Sequence, residues 1–120
     1  MAYDPNNIFA RILRGELPCQ KVYENDHALA FNDINPLMPV HILVIPKGPY
    51  VTLADMTAKA TAEEIAGFLA AVAETARLAG VEDEGYRIVG NNGRHANQEV
   101  LHFHVHIFGG RQIGGRMIKS

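Results

Sequence analysis

Histidine and apolar residues alternate along residues 101–107, and this alternation constrains the fold more than any other feature of the chain. Successive side chains of a β-strand point to opposite faces, so the three histidines form one row: His102, His104 and His106. The other face carries Leu101, Phe103, Val105 and Ile107. That apolar face predicts a strand over residues 100–108, with its back against a core and its histidines facing solvent or a cleft.

The rest of the sequence predicts four more strands and two helices. The strands are expected at residues 21–24, 27–33, 41–45 and 86–89. A first helix over residues 8–13 ends before Gly15 and Pro18. The second begins at a capping box formed by Thr61 and Glu64 and ends at Gly80. With short connections, this order predicts an α+β fold in which a five-stranded antiparallel sheet carries two helices.

The composition is that of a single globular domain spanning residues 1–120. Hydrophobic residues make up 48% and charged residues 20% of the 120 residues, enough for a core without disulfides. The lone Cys19 excludes a disulfide framework and a Cys-rich zinc module. A net charge of −2 argues against nucleic-acid binding. The N-terminus lacks a signal-peptide pattern and no apolar stretch is long enough to span a membrane, so we expect a cytoplasmic protein.

Three roles are open to the row of histidines. A buried structural row would need several hydrogen-bond partners. A zinc site needs nitrogens about 2.0–2.1 Å from the ion, whereas the outer two residues of the row lie about 13 Å apart along a strand. Two adjacent histidines of the row could bind one ion only if a third ligand came from elsewhere in the chain, such as His41.

Nucleophilic catalysis by the middle histidine is the third role. Neighbouring imidazoles disfavour each other's positive charge, so His104 is expected to be neutral near pH 7. A neutral ring keeps one lone pair for attack while a hydrogen bond at its other nitrogen fixes the tautomer. Phosphorus is the electrophile that suits such a site best. The residues alone favour catalysis and leave a metal site open.

Two upstream segments accompany the row, Leu-Ala-Phe-Asn-Asp-Ile-Asn-Pro at residues 29–36 and Pro-Val-His-Ile-Leu-Val-Ile-Pro-Lys at residues 39–47. Together with the His-x-His-x-His run, they resemble the histidine triad superfamily. The chain is similar over its full length to the nucleotide-binding branch of that superfamily. The resemblance implies a homodimeric phosphoramidase that acts on purine nucleotides, above all adenosine 5′-phosphoramidates, with no cofactor or metal.

The resemblance also implies roles for individual residues. His104 would be the nucleophile that forms a nucleotidyl intermediate and releases AMP, and His106 would contact the α-phosphate. His102 and His41 would support and orient the nucleophile. Asp33, beside Ile34, would hold the ribose hydroxyls, although its carboxylate could equally serve a turn. The remaining predicted nucleotide-binding residues are Phe9, Ile12, Phe31, Asn32 and Leu43 for the base and sugar, and Asn91, Asn97, Gln98 and Glu99 around the 5′-phosphate.

Three departures from the family pattern concern specificity. Glu99 replaces a serine of some members, and an ionised carboxylate cannot donate a hydrogen bond but could accept one from a departing ammonium. Asn97 replaces a glycine, and residues 114–120 lack the tryptophan-containing tail of some members. The alternatives are a dinucleoside polyphosphate hydrolase, a nucleotide-binding or scaffolding protein with little turnover, and a zinc-dependent hydrolase.

Overall fold

The computed structural model describes residues 2–115, so Met1 and the tail beyond residue 115 lie outside the described part. Five strands form one sheet in the order β1-β2-β3-β5-β4, and every neighbouring pair is antiparallel. The strands are β1 (Lys21–Glu24), β2 (Ala28–Asn32), β3 (Val40–Pro46), β4 (Arg87–Gly90) and β5 (Val105–Gly109). The predicted α+β fold with a five-stranded antiparallel sheet is therefore confirmed.

Three helices accompany the sheet, one more than the sequence predicts. They are α1 (Ile8–Leu13), α2 (Leu53–Lys59) and α3 (Ala62–Leu78). The unpredicted α2 buries only Met56, so it has no apolar repeat that would indicate a helix. Its start is nevertheless encoded, because the Thr52 side chain accepts a hydrogen bond from the backbone N–H of Asp55. None of the helices formed by residues 2–115 is long and apolar enough to cross a bilayer.

Alternate side chains of the strands point to opposite faces of the sheet, and each face carries an apolar cluster. One face packs under α3, which begins at the expected capping box of Thr61 and Glu64 and buries Phe68. Leu69 does not join this face, since its side chain is 56% exposed. The other face holds a smaller cluster under α1, and the candidate site lies beside that cluster. Its members are Phe9, Leu29, Phe31, Leu43 and Ile45.

The last strand is shorter than predicted, because regular pairing begins only at Val105. In the register of β3 and β5, the position opposite Phe103 is Pro46, which has no N–H to continue the ladder. The backbone N–H of Phe103 instead donates to the carbonyl of Tyr50 at 2.7 Å. The side chains before Val105 still alternate between the two faces although this segment has no strand pairing. The ring of Phe103 packs against that of Phe68 in the α3-side core, with centroids 5.6 Å apart. The histidines therefore point to the opposite, α1 side of the sheet.

Candidate active site

A cavity of about 440 Å³ lies on the α1 side of the sheet, within the size range of small-molecule sites. All eleven residues predicted to bind a nucleotide line it, together with His41, His104 and His106. Four lining residues were not predicted: Ile8, Asn35, Leu37 and Val100. The structure thus gathers residues from α1, β2, β3, β5 and the loop of residues 91–99 around one space.

His104 is buried in the cavity wall with one ring nitrogen occupied. Its Nδ1 lies 2.8 Å from the carbonyl oxygen of His102, and a carbonyl can only accept, so Nδ1 carries the proton. The edge of the Phe9 ring meets the imidazole at a centroid distance of 4.9 Å. Burial lowers the pKa of His104 below its usual value. A neutral ring with Nδ1–H retains a lone pair on Nε2, which is the requirement for a nucleophile.

The side chain of His102 does not face the cavity, contrary to the expectation that all three histidines line a cleft. It is fully buried, and its Nε2–H donates to the carbonyl oxygen of Pro46 at 2.8 Å. Its Nδ1 accepts a hydrogen bond from the hydroxyl of Tyr3 at 2.7 Å. Burial lowers the pKa of His102 to about 4. The group of His102 that orients His104 is therefore its backbone carbonyl.

His41 contacts His106 rather than the predicted nucleophile. The backbone N–H of Leu37 donates to Nδ1 of His41 at 3.1 Å, which places the proton of the neutral His41 ring on Nε2. That Nε2–H lies 2.9 Å from Nδ1 of His106. His106 therefore accepts at Nδ1 and carries its own proton on Nε2. Burial, followed by the nearby rings of His104 and His41, lowers the pKa of His106 to about 4.

Asp33 serves both a turn and the site. One carboxylate oxygen accepts the backbone N–H of Asn35 at 2.8 Å, which is the turn role left open by the sequence. The other oxygen lies 3.4 Å from Nε2 of His41. The charge of Asp33 acts to raise the pKa of His41, but burial has the larger effect and the pKa of His41 is lowered.

Asp33, His41 and His106 offer three ligand atoms within 4.8 Å of one another, a spacing that a metal ion could bridge. The hydrogen bond that His41 accepts from Leu37 disfavours metal binding at these atoms. The Nε2 of His41 carries a proton as long as Leu37 donates to Nδ1, and a protonated nitrogen has no lone pair for a metal. A metal at these atoms would have to displace that proton and disrupt the Leu37 contact.

The loop of residues 91–99 is held in place by Gln98. Its amide NH₂ donates to the carbonyls of Val51 and Val100, and its amide oxygen accepts the N–H of Gly93. Asn97 has a φ of 57°, a left-handed conformation that asparagine tolerates better than most residues. Glycine and asparagine are the residues that adopt this conformation at the lowest cost.

An apolar wall completes the cavity. Phe9, Ile12, Phe31 and Leu43 line it from α1, β2 and β3. Ile34 projects at the rim with 90% of its surface exposed, an unusual position for an isoleucine. The wall and the rim together form an apolar slot suited to a flat ring.

Tyr3 is a further residue of the site that sequence analysis missed, and it lies behind the cavity wall rather than in its lining. It lies 99 residues from its partner His102 and in no regular element, so no periodicity or motif connects the two. The rings of Tyr3 and His102 also meet edge to face at 5.6 Å.

This fold and site define the chain as a HIT domain, and residues 14–113 match the HIT domain family model. The chain therefore belongs to the HIT family. It is 62% identical to an uncharacterized 13.2 kDa HIT-like protein of Azospirillum brasilense, over 98% of this chain and 97% of that one. It is 39% identical to the purine nucleoside phosphoramidase of Escherichia coli K12, over 89% of each chain. The crystal structure of a HIT family hydrolase from Legionella pneumophila matches with a TM-score of 0.83 and 38% identity, covering 91% of this chain and 96% of that chain.

Proposed function

We propose that the protein hydrolyses purine nucleoside phosphoramidates, as an adenosine 5′-monophosphoramidase, and releases AMP. The observation that carries the proposal is the pair of tautomers in the cavity wall. His104 keeps a lone pair on Nε2, whereas His106 keeps a proton on Nε2. A nucleophile beside a hydrogen-bond donor is what substitution at an anionic phosphorus centre requires.

The reaction runs in two displacements. Nε2 of His104 attacks the α-phosphorus, the phosphorus–nitrogen bond breaks, and the amine leaves after taking up a proton from solvent. The phosphorylated ring gains positive charge, which strengthens its Nδ1–H hydrogen bond to the carbonyl of His102. Water then attacks phosphorus and releases one proton to solvent, the bond to Nε2 breaks, and AMP leaves with the neutral ring restored. His106 donates its Nε2–H to a phosphoryl oxygen in both steps.

The remaining walls fit the other parts of a nucleotide. The apolar slot beside Phe9 and Ile34 accepts the base, and the Asp33 carboxylate accepts hydrogen bonds from the ribose hydroxyls. The named relative in Escherichia coli supports this substrate class.

A homodimer is part of the proposal, and the edge of β4 supports it. Among the described residues, β4 is hydrogen-bonded only to β5, so its outer edge is open. Ile88 on this strand is 53% exposed. One guanidinium nitrogen of Arg87 is buried without a partner among residues 2–115. An open edge with an exposed apolar side chain is a surface that a second copy could cover.

The deciding experiment is hydrolysis of adenosine 5′-phosphoramidate by the wild type and by His104→Ala, with and without a chelator. We expect turnover that resists chelation and is lost in the variant, while the variant still binds AMP. Turnover by the variant would refute the covalent mechanism, and zinc-restorable loss on chelation would indicate a metal hydrolase. Hydrolysis of a dinucleoside polyphosphate instead would assign the chain to that activity.

A further inference from the structure

The cavity is large enough for a nucleotide, yet its charged lining residues are acidic and none is basic among residues 2–115. Within residues 2–115 no lysine or arginine lines it, and its only carboxylates are those of Asp33 and Glu99. With neutral histidines the lining is thus formally doubly negative. A substrate with additional negative charge gains no compensating cation there and is repelled by these carboxylates.

The two carboxylates differ in what they contact. Asp33 is engaged with the backbone of Asn35 and lies beside His41. Glu99 is exposed, and none of the ion pairs found within residues 2–115 includes it. Its charge is therefore available to a bound molecule.

The backbone on both sides of Glu99 is fixed. The preceding residue, Gln98, donates from its side-chain amide to the carbonyl of Val51. The following residue, Val100, packs on the α1-side core. Glu99 thus lines the same cavity as His104 and His106 from a well-held stretch of backbone. An ionised carboxylate accepts hydrogen bonds and donates none, so it favours an ammonium group over an uncharged or anionic one.

We propose that Glu99 sets the leaving-group preference of the site, selecting phosphoramidates whose amine carries a second, cationic group over neutral amines and over phosphate leaving groups. The inference rests on the proposed function and specifies the substrate class within it. Because Glu99 is exposed, the preference is moderate and is screened by salt.

The test compares two adenosine 5′-phosphoramidates of equal chain length, one made from 1,4-diaminobutane and one from pentylamine, with diadenosine tetraphosphate as the anionic substrate. For the wild type we expect kcat/KM to be about three- to tenfold higher for the diamine conjugate at low salt. Glu99→Gln is expected to bring that ratio close to one and to improve the relative use of the tetraphosphate. Glu84→Gln removes the same charge from an exposed residue outside the cavity and is expected to retain the wild-type ratio.

A ratio that Glu99→Gln leaves unchanged would overturn the inference while leaving the phosphoramidase intact. An equal fall in the ratio for Glu84→Gln would also overturn it, since net charge alone would then explain the preference. If the wild type hydrolyses neither conjugate, the proposed function fails. The dissociation constants of the two conjugates on His104→Ala, with and without Glu99→Gln, still decide whether Glu99 discriminates between them.

Discussion

The Nε2 atom of His41 lies 2.9 Å from the Nδ1 atom of His106, and this contact determines what His106 can do. Since Leu37 fixes the proton of His41 on Nε2, His106 must accept at Nδ1 and donate from Nε2. A backbone N–H thus sets the tautomers of two rings in succession. In the proposed mechanism, this arrangement lets one short segment present a nucleophile at His104 and a proton donor two residues later at His106.

Replacing His104 by glycine is expected to reduce turnover on the order of 10⁴-fold or more, because the nucleophile is lost. Added imidazole should occupy the vacated volume and restore part of the activity. The measurement is release of AMP from adenosine 5′-phosphoramidate as a function of imidazole concentration. His95→Gly, in an exposed loop, is the control and should respond to neither change. Absence of any rescue, with the variant folded, would count against attack by Nε2.

Lowering the pH from 6.5 to 5 is expected to destabilise the fold. The pKa of His102 is about 4 in the folded state against 6.5 in the unfolded state, so only the unfolded ring binds a proton in this range. Stability is then fully present above pH 6.5 and falls towards pH 4, by up to about 1.4 kcal/mol per pH unit for this ring. Urea unfolding at pH 7, 6 and 5 measures the effect, and NMR titration identifies the ring. Equal unfolding free energies at pH 7 and pH 5 would contradict the prediction.

Tyr3→Phe removes the donor to a buried ring nitrogen and is expected to lower the unfolding free energy by about 1–3 kcal/mol. Because the ring of His102 is then less firmly held, its carbonyl orients His104 less well. We expect kcat to fall several-fold with little change in KM, which marks Tyr3 as a positioning residue. Tyr23→Phe, on β1, removes a hydroxyl for which residues 2–115 provide no partner and is the matched control. A change in stability alone would restrict Tyr3 to a structural role.

Asp33→Ala tests the ribose contact separately from the turn. Loss of the turn hydrogen bond to Asn35 affects all ligands, whereas loss of the ribose contact affects only those with vicinal hydroxyls. AMP binding is expected to weaken by about 1.5–3 kcal/mol more than dAMP binding. Calorimetric titration of both nucleotides into the wild type and the variant gives the comparison. If AMP and dAMP lose the same binding free energy, Asp33 makes no contact with the ribose hydroxyls and serves only the turn.

Ile88→Lys is expected to convert a homodimer into monomers, because it places a charge on the open edge of β4. Leu69→Lys makes the same change at a similarly exposed leucine on α3 and should leave the dimer intact. Sedimentation velocity distinguishes the two states. A wild type that sediments as a monomer at high concentration would refute the dimer itself.

Sequence reasoning recovered the sheet because residue patterns along β2, β3 and β5 reflect burial directly. It could not place the start of the last strand, because that depends on Pro46, which lies opposite Phe103 when the register of β3 and β5 is extended and has no N–H for the ladder. The cavity residues were named from family resemblance, and the structure brings them together; their roles stay predictions. Hydrogen bonds between residues far apart in the sequence were inaccessible, above all those that Tyr3 and Pro46 make with the ring of His102.

The position of β5 also has a consequence for how the chain is made. This strand lies between β3 and β4, yet it is the last of the five to be synthesised. Until residues 102–109 are synthesised, β4 lacks its partner and Tyr3 has no imidazole to contact. A nascent or prematurely terminated chain ending before residue 102 therefore carries most of the cavity wall but none of the three histidines of the row. Completion of the sheet and completion of the histidine row therefore coincide in the synthesis of this one segment.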